Sequence, residues 1–292
     1  MSKTLQFGNG EWAVGKETAL AYNDENSNFK PLPFTFDRGS SATVVNKQGL
    51  IETVGTDEPR IDFLNNTKGH LLLEPSRQNI ITYSEDFSDS SWTKNNCTIN
   101  SNNAISPDGT QNADKLDFTT SNGEIVRTTS FTSGQEYTMS FYAKTESGTF
   151  DFTFGNLNYS SINGTATTEW QRFEITQTLP STTRFPKITA TEIGSLLLWG
   201  WQVEQGSYAT SYIPTQGSAV TRSAETCSGA GNDQVINSTE GVLYVDMRND
   251  IVQQQTIALL KGSNDSVQLG LINEAEKANF FQFGAINTTS TV

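Results

Sequence analysis

The sequence predicts an all-β protein, and three observations lead there. Of its 292 residues 35% are hydrophobic and only 17% charged, the remainder being rich in Ser, Thr, Asn, Gln and Gly. That composition is too uncharged for solvated disorder, and 17 Phe, 8 Tyr and 5 Trp supply material for a core. Short runs alternate with a period of two, as in Met139-Ser140-Phe141-Tyr142-Ala143-Lys144, where Met139, Phe141 and Ala143 share one face. Turn signals such as Pro107-Asp108-Gly109 and Ser133-Gly134 fall between such runs. The length suits two or three domains of about 100–150 residues each.

In chain order, residues 1–83 read as a β-rich joining region. Strand-like pieces at 4–7 and 12–14 flank Gly8-Asn9-Gly10, a hairpin turn signal. The Asn/Asp/Glu-rich stretch 22–28 lacks the glycine and closing glutamate of an EF-hand loop and reads as a solvated loop. From Phe34 onward, β-branched runs at 43–45, 50–54 and 60–63 are bounded by Gly49, Gly55 and Pro59. Leu71-Leu72-Leu73 is apolar on both faces, as a segment covered on both sides would be, and Pro75 stops it. So much backbone with so little core of its own predicts an element that leans on neighbouring domains or chains. His70, the single histidine, has no catalytic or metal-ligating partner nearby in sequence and is expected to be structural.

Residues 84–215 are expected to form one β-sandwich, with strands over 113–118, 137–144, 150–154, 171–177, 184–189 and 195–203. The Gly/Ser/Ala/Thr-rich stretch 216–235 reads as a linker. A second β pattern fills 236–292, with strands at 241–248, 255–261, 267–272 and 280–283.

The net charge of −13 without a basic cluster argues against nucleic acid, which needs grouped Lys and Arg against its phosphates. The opening MSKTLQFGNGEW has no signal-like apolar run, and no segment approaches the roughly 18 apolar residues of a membrane span. Synthesis in the cytoplasm and no membrane insertion are expected. Cys97 and Cys227 lie far apart with no disulfide motif between them.

Sugar sites pair an aromatic platform with amides and carboxylates. Tyr142, Tyr159 and Trp170, with polar neighbours, are the candidate glycan residues. Trp199 and Trp201, two apart beside Leu197 and Val203, are expected on one face and in the core. No nucleophile elbow, phosphate loop or HExxH pair is present, so no enzyme is expected.

The words RGSSATVVNKQGLIE, EPRIDF and LLLEPSRQNIITYSEDFSDSSWTK, and downstream LLLWGWQVEQGSYATSYIPTQGSAVTRSAE, carry a resemblance. Over about residues 34–225 the chain resembles a segment of tailed-bacteriophage tail-fibre, head-fibre and spike proteins, word for word at the two ends and in pattern between them. The resemblance implies a virion structural protein with a carbohydrate-binding-module-like jelly roll at 84–215, joined to other virion proteins, commonly a homotrimer, and facing host-surface glycans. Such jelly rolls often hold a structural calcium, and Asp86 and Glu204 occupy similar positions; a pair of surface acids is the other reading. EGVLYVDMR and QQTIALLKGS resemble the opening strands of a concanavalin-like (laminin-G-like) sandwich, implying a partial second sandwich at 236–292 completed by another chain or by residues beyond Val292. A purely architectural head-decoration or tail-linking protein and a capsule depolymerase are the rival readings.

Overall fold

A computed structural model describes residues 12–15, 18–23, 28–31, 35–156, 160–228, 255–261, 265–272 and 280–287, and no helix occurs among them. The chain divides into two units, Met1–Thr239 and Glu240–Val292. In the first, β1 (Trp12–Gly15), β2 (Thr18–Asn23) and β3 (Asn28–Pro31) form an antiparallel sheet, Asn23 opposite Asn28. The pieces expected at 4–7 and the Gly8-Asn9-Gly10 turn lie outside the described residues.

The joining stretch is a run of two-stranded pieces: β4 (Thr35–Asp37), β5 (Ala42–Val45) paired with β6 (Ile51–Val54), and β7 (Arg60–Asp62) paired with β8 (His70–Leu72). The Asn46-to-Gly49 turn follows from its residues: Asn46 Oδ1 accepts from the amides of Gln48 and Leu50, and Gly49 takes φ 81°. The Leu71–Leu73 run is less covered than its composition predicts, since Leu71 and Leu72 are half-buried and Leu73 is 48% exposed. β9 (Arg77–Asn79) follows.

The sandwich uses β10 (Thr93–Asn95), β11 (Cys97–Ile105), β12 (Gln111–Phe118), β13 (Glu124–Ser130), β14 (Glu136–Lys144), β15 (Phe150–Asn156), β16 (Ser160–Ala166), β17 (Gln171–Thr178), β18 (Thr182–Ala190) and β19 (Gly194–Gln205). They make two five-stranded antiparallel sheets, ordered β10-β13-β18-β15-β16 and β11-β12-β19-β14-β17. Between the sheets lies one apolar core, and the alternation on β14 puts Met139, Phe141 and Ala143 into it as predicted. The Phe141 ring meets Phe152, Phe154, Phe173 and Trp201 at 5.3–6.1 Å between centroids.

Beyond the sandwich the linker expectation fails over part of its length. β20 (Val220–Arg222) pairs with β9, and β21 (Thr226–Ser228) pairs with β4, so both belong to the folded body. Residues 229–235 lie outside the described residues. In the second unit β22 (Gln255–Lys261), β23 (Asp265–Ile272) and β24 (Phe280–Asn287) form an antiparallel meander, while the strand expected at 241–248 is outside the described residues.

A buried ionic network binds the segments before and after the sandwich. Arg60, fully buried, donates from Nε to Glu225 Oε1 at 2.6 Å, from Nη2 to Glu225 Oε2 at 2.5 Å and to Glu74 Oε2 at 2.8 Å, and from Nη1 to Thr43 O and Ser211 Oγ. Arg38 reaches Glu225 Oε1 at 2.8 Å and the Gly55 carbonyl. Arg222 reaches Glu74 Oε2 at 2.6 Å, Ser211 Oγ and Pro75 O. Glu74 and Glu225 are themselves coupled, the Glu74 amide donating to Glu225 Oε2 at 2.8 Å. Burial alone would raise the Glu74 pKa, but Arg222, Arg60 and the Ser211 bonds outweigh it and hold the carboxyl below its usual range.

Both thiols are free. Burial, with Asp117 nearby, pushes Cys97 up to about 12, and burial also raises Cys227, which is half-buried.

Arg60→Met leaves Glu225 and Glu74 buried with one guanidinium fewer, so urea denaturation is expected to show a loss of about 3–5 kcal/mol. Lys115→Ala, breaking the Lys115–Glu146 pair whose Glu146 side chain is 53% exposed, should cost about 0–1 kcal/mol; equal losses would refute the assignment. The folded-state pKa of Glu74 is depressed, so its contribution is present above the unfolded carboxylate value and lost as pH falls through the folded one. The deficit of Glu74→Gln against the parent is therefore expected in full at pH 7 and to shrink in acid, read from denaturation at several pH values. Ellman's reagent should modify Cys227 slowly in the native protein and Cys97 only after unfolding; rapid modification of both would show that Cys97 is open to solvent.

Candidate functional site

The outer face of the β11-β12-β19-β14-β17 sheet carries the aromatic candidates. β19 does not keep a period of two. Gly200, at φ 66°, forms a bulge where the register with β14 shifts, so Trp199 joins an outer cluster while Trp201 enters the core. Both indoles are buried as expected, but on opposite faces rather than the same one.

Around Trp199 gather Tyr212, Ala113 and Ile51, with Val45, Ala104, Tyr142 and Trp170 packed against them. Val45 and Ile51 come from the β5–β6 hairpin, so the chain's own joining stretch lies on this face. The Ile51 amide donates to Pro107 O at 2.9 Å, and Thr43 Oγ1 donates to the Tyr212 carbonyl. Tyr212 donates its hydroxyl to Glu85 Oε1 at 2.8 Å. Burial and the Glu85 charge keep that phenol far above its ordinary pKa, while burial and the nearby Asp108 raise Glu85 in turn.

The structure brings Tyr142 and Trp170 into this one cluster. The Tyr142 ring is 5.6 Å from Trp199 and 5.5 Å from the Arg172 guanidinium. Trp170 donates Nε1 to Ile105 O at 3.0 Å, with the Lys144 ammonium 5.1 Å from its ring. Both are half-buried and engaged with their own chain. Tyr159 lies outside the described residues.

Asp86 and Glu204 occupy separate settings. Asp86 Oδ1 closes a turn, accepting from the Ser88 amide and hydroxyl and the Asp89 amide. Glu204, fully buried, accepts from the Thr210 amide at 2.7 Å, the Thr210 hydroxyl at 2.6 Å and Gln202 Nε2 at 2.8 Å. Among the described residues no three His, Cys, Asp or Glu side chains gather as a metal cluster. His70 Nε2 stands 3.7 Å from Asp62 Oδ2 across the β7–β8 pair, a structural position.

A cleft of about 740 Å³ opens elsewhere, where β9 and β20 meet the ends of β13 and β19 and the start of β14. Arg77, Gln78, Gln205 and Thr132 supply polar groups, and Ile80 and Tyr137 supply apolar surface. Tyr137 is fixed by its hydroxyl, which accepts from the Thr132 amide at 3.0 Å, and by the Phe131 ring at 4.7 Å. Gln78 Nε2 donates to Thr221 Oγ1 at 3.1 Å. Arg77 lies against Gly206, where a Cβ would come within 2.8 Å of Nη2, and 5.2 Å from the Tyr208 ring. Gly206 has φ 149°, a backbone conformation that favours glycine, and a side chain there would push the Arg77 guanidinium aside. Among the described residues the cleft lining holds no Asp or Glu, and it offers hydrogen-bonding groups beside Ile80 and the edges of Phe131 and Tyr137, which are 7% and 5% exposed. Sequence reasoning passed over Arg77 and Gln205. The words SRQN and VEQGSY contained them, but nothing local shows that these words meet.

No family model and no curated protein matches the chain. Among solved structures, one similar to it is the enzymatically active domain of tailspike protein 4 from bacteriophage CBA120, at 14% identity over 44% of this chain and 21% of that one, with a TM-score of 0.33. The CBM22-1 xylan-binding domain of Paenibacillus barcinonensis Xyn10C is similar at 12% identity over 45% of this chain and 94% of that one, TM-score 0.33. The carbohydrate-binding module CBM6cm-2 of Cellvibrio mixtus lichenase 5A, in complex with cellotriose, is similar at 11% identity over 47% and 100%, TM-score 0.30. The chain thus spans about a fifth of the tailspike domain and nearly all of each module.

Proposed function

We propose that this chain is a noncatalytic structural component of a tailed-phage virion, a fibre or spike subunit. Its N-terminal part joins other virion proteins, and its sandwich presents a glycan-binding surface to the host. The observation that carries the glycan part is the open cleft of about 740 Å³, where amides, hydroxyls and a guanidinium stand beside Ile80 and the edge of the largely buried Tyr137. That is the chemistry a pyranose needs: donors and acceptors for its hydroxyls and an apolar wall for its ring face. No carboxylate is among the described residues of the lining, whereas glycoside cleavage uses a pair of them. The virion and homotrimer parts rest on the sequence resemblance alone. In a trimer, sites of millimolar to micromolar affinity, about −4 to −8 kcal/mol each, suffice through multivalency.

A second reading has its own observation. The aromatic face with Tyr142, Trp170 and Trp199 is packed against the β5–β6 hairpin, as in an architectural protein without a ligand.

Glycan-array binding by the full chain separates the two. Binding to at least one bacterial-surface glycan class is expected, lost in a Thr132→Trp variant that fills the cleft mouth and retained in Trp170→Ala. No binding to any glycan favours the architectural reading.

A further inference from the structure

Arg77 differs from the arginines of the buried network. Arg38, Arg60 and Arg222 each hydrogen-bond a glutamate at 2.5–2.8 Å, and those carboxylates balance much of their charge. Arg77 is paired more loosely, with no glutamate at hydrogen-bond distance. Its Nη1 donates to Ser76 O at 3.3 Å, a long contact, and its buried Nε, like that of Arg222, finds no hydrogen-bond partner. Glu204 Oε2 stands 3.9 Å from Nε, an ion pair without a hydrogen bond, and the short bonds that the Glu204 oxygens accept come from Thr210 and Gln202 instead. The guanidinium is nevertheless held in place, between Gly206 and the Tyr208 ring, with its side chain 20% exposed. Among the described residues it is the one charged side chain lining the cleft.

We infer that this cleft is a subsite for a carboxylate-bearing sugar residue of the uronic-acid type, with Arg77 as the partner of the carboxylate. The inference rests on the glycan-binding reading above and names its ligand class. A guanidinium is a planar fork that matches a carboxylate in two parallel hydrogen bonds, and one that is preorganised but incompletely satisfied loses little on engaging it. Gln78, Gln205 and the Thr132 hydroxyl stand around it for ring hydroxyls, with Ile80 and the exposed edge of Tyr137 as the apolar surface beside them. The chain as a whole carries −13, so general attraction of anions does not account for such binding; selection comes from the cleft.

The test uses the full chain with trigalacturonate, its methyl ester, and a panel of uronate-bearing and neutral oligosaccharides, read by calorimetry. The acid form is expected to bind about tenfold or more tightly than the ester, the loss of one charge-assisted hydrogen bond. Arg77→Gln removes that preference, and Gly206→Ala, which displaces the guanidinium, weakens it. Thr132→Trp, at an exposed position on the rim, abolishes binding of both forms with an unchanged melting temperature, which keeps the test valid should Arg77→Gln fold poorly. Glycan binding that survives both Arg77→Gln and Thr132→Trp overturns the subsite while leaving the glycan-binding reading intact. Preference for neutral sugars across the panel overturns the acidic class, and no binding to any glycan overturns both readings.

Discussion

The fold depends on keeping the charge of Arg60 satisfied in a place without water. Three guanidinium groups and two carboxylates meet there, and removing each from solvent costs several kcal/mol unless nearly every donor and acceptor finds a partner. Glu225 answers this by accepting from Arg38 and Arg60 and from the Glu74 amide, and Glu74 by accepting from Arg60, Arg222 and Ser211. The partners lie in segments on both sides of the sandwich, so no one segment can bury its charge without the others. The joining stretch, the sandwich and the strands after it are therefore one cooperative body, and Asn79 ties them further by bonding Trp201 O, Ile213 O, Ile81 N and Val203 N.

That closure decides where a ligand can sit. The hairpin packed over Trp199 and Tyr212 covers that part of the outer sheet face, and Arg172 and Lys144 lie over the half-buried rings of Tyr142 and Trp170. Open surface with directional chemistry remains at the seam where β9 and β20 meet the sandwich, and Arg77 stands there because Gly206 yields it the room of a side chain.

Much of the sandwich was legible in its alternation: β12, β14, β15, β17, β18 and β19 all fall where the pattern puts them. β11 was not, because CTINSNNAI is an edge strand with most side chains in water and a register break near Asn102, at φ 53°. β16 hides behind Gly164, which reads as a turn but is a packing requirement, since a Cβ there would lie 2.7 Å from the Phe152 ring. The opposite facing of Trp199 and Trp201 depends on one bulge that period-two counting cannot see. The Ser/Thr-rich stretch holding Arg222 and Glu225 reads as a linker for a related reason: the glutamate that Arg222 needs lies 148 residues upstream, and no local signal reports it. The cleft was illegible on the same ground, its walls being drawn from five stretches of the chain.

The pairing of β4 with β21 sets a boundary condition on the whole body. Cys227 lies opposite Phe36, so the chain enters at Thr35 and leaves at Ser228 as neighbours in one antiparallel ladder, about 5 Å apart. A folded body of nearly two hundred residues therefore spans almost no distance between its own entry and exit. It is topologically a side loop: whatever chain precedes it and whatever follows meet with the spacing they would have if it were cut out. Grafting 35–228 into an exposed turn of an unrelated scaffold would thus leave the host's geometry undisturbed.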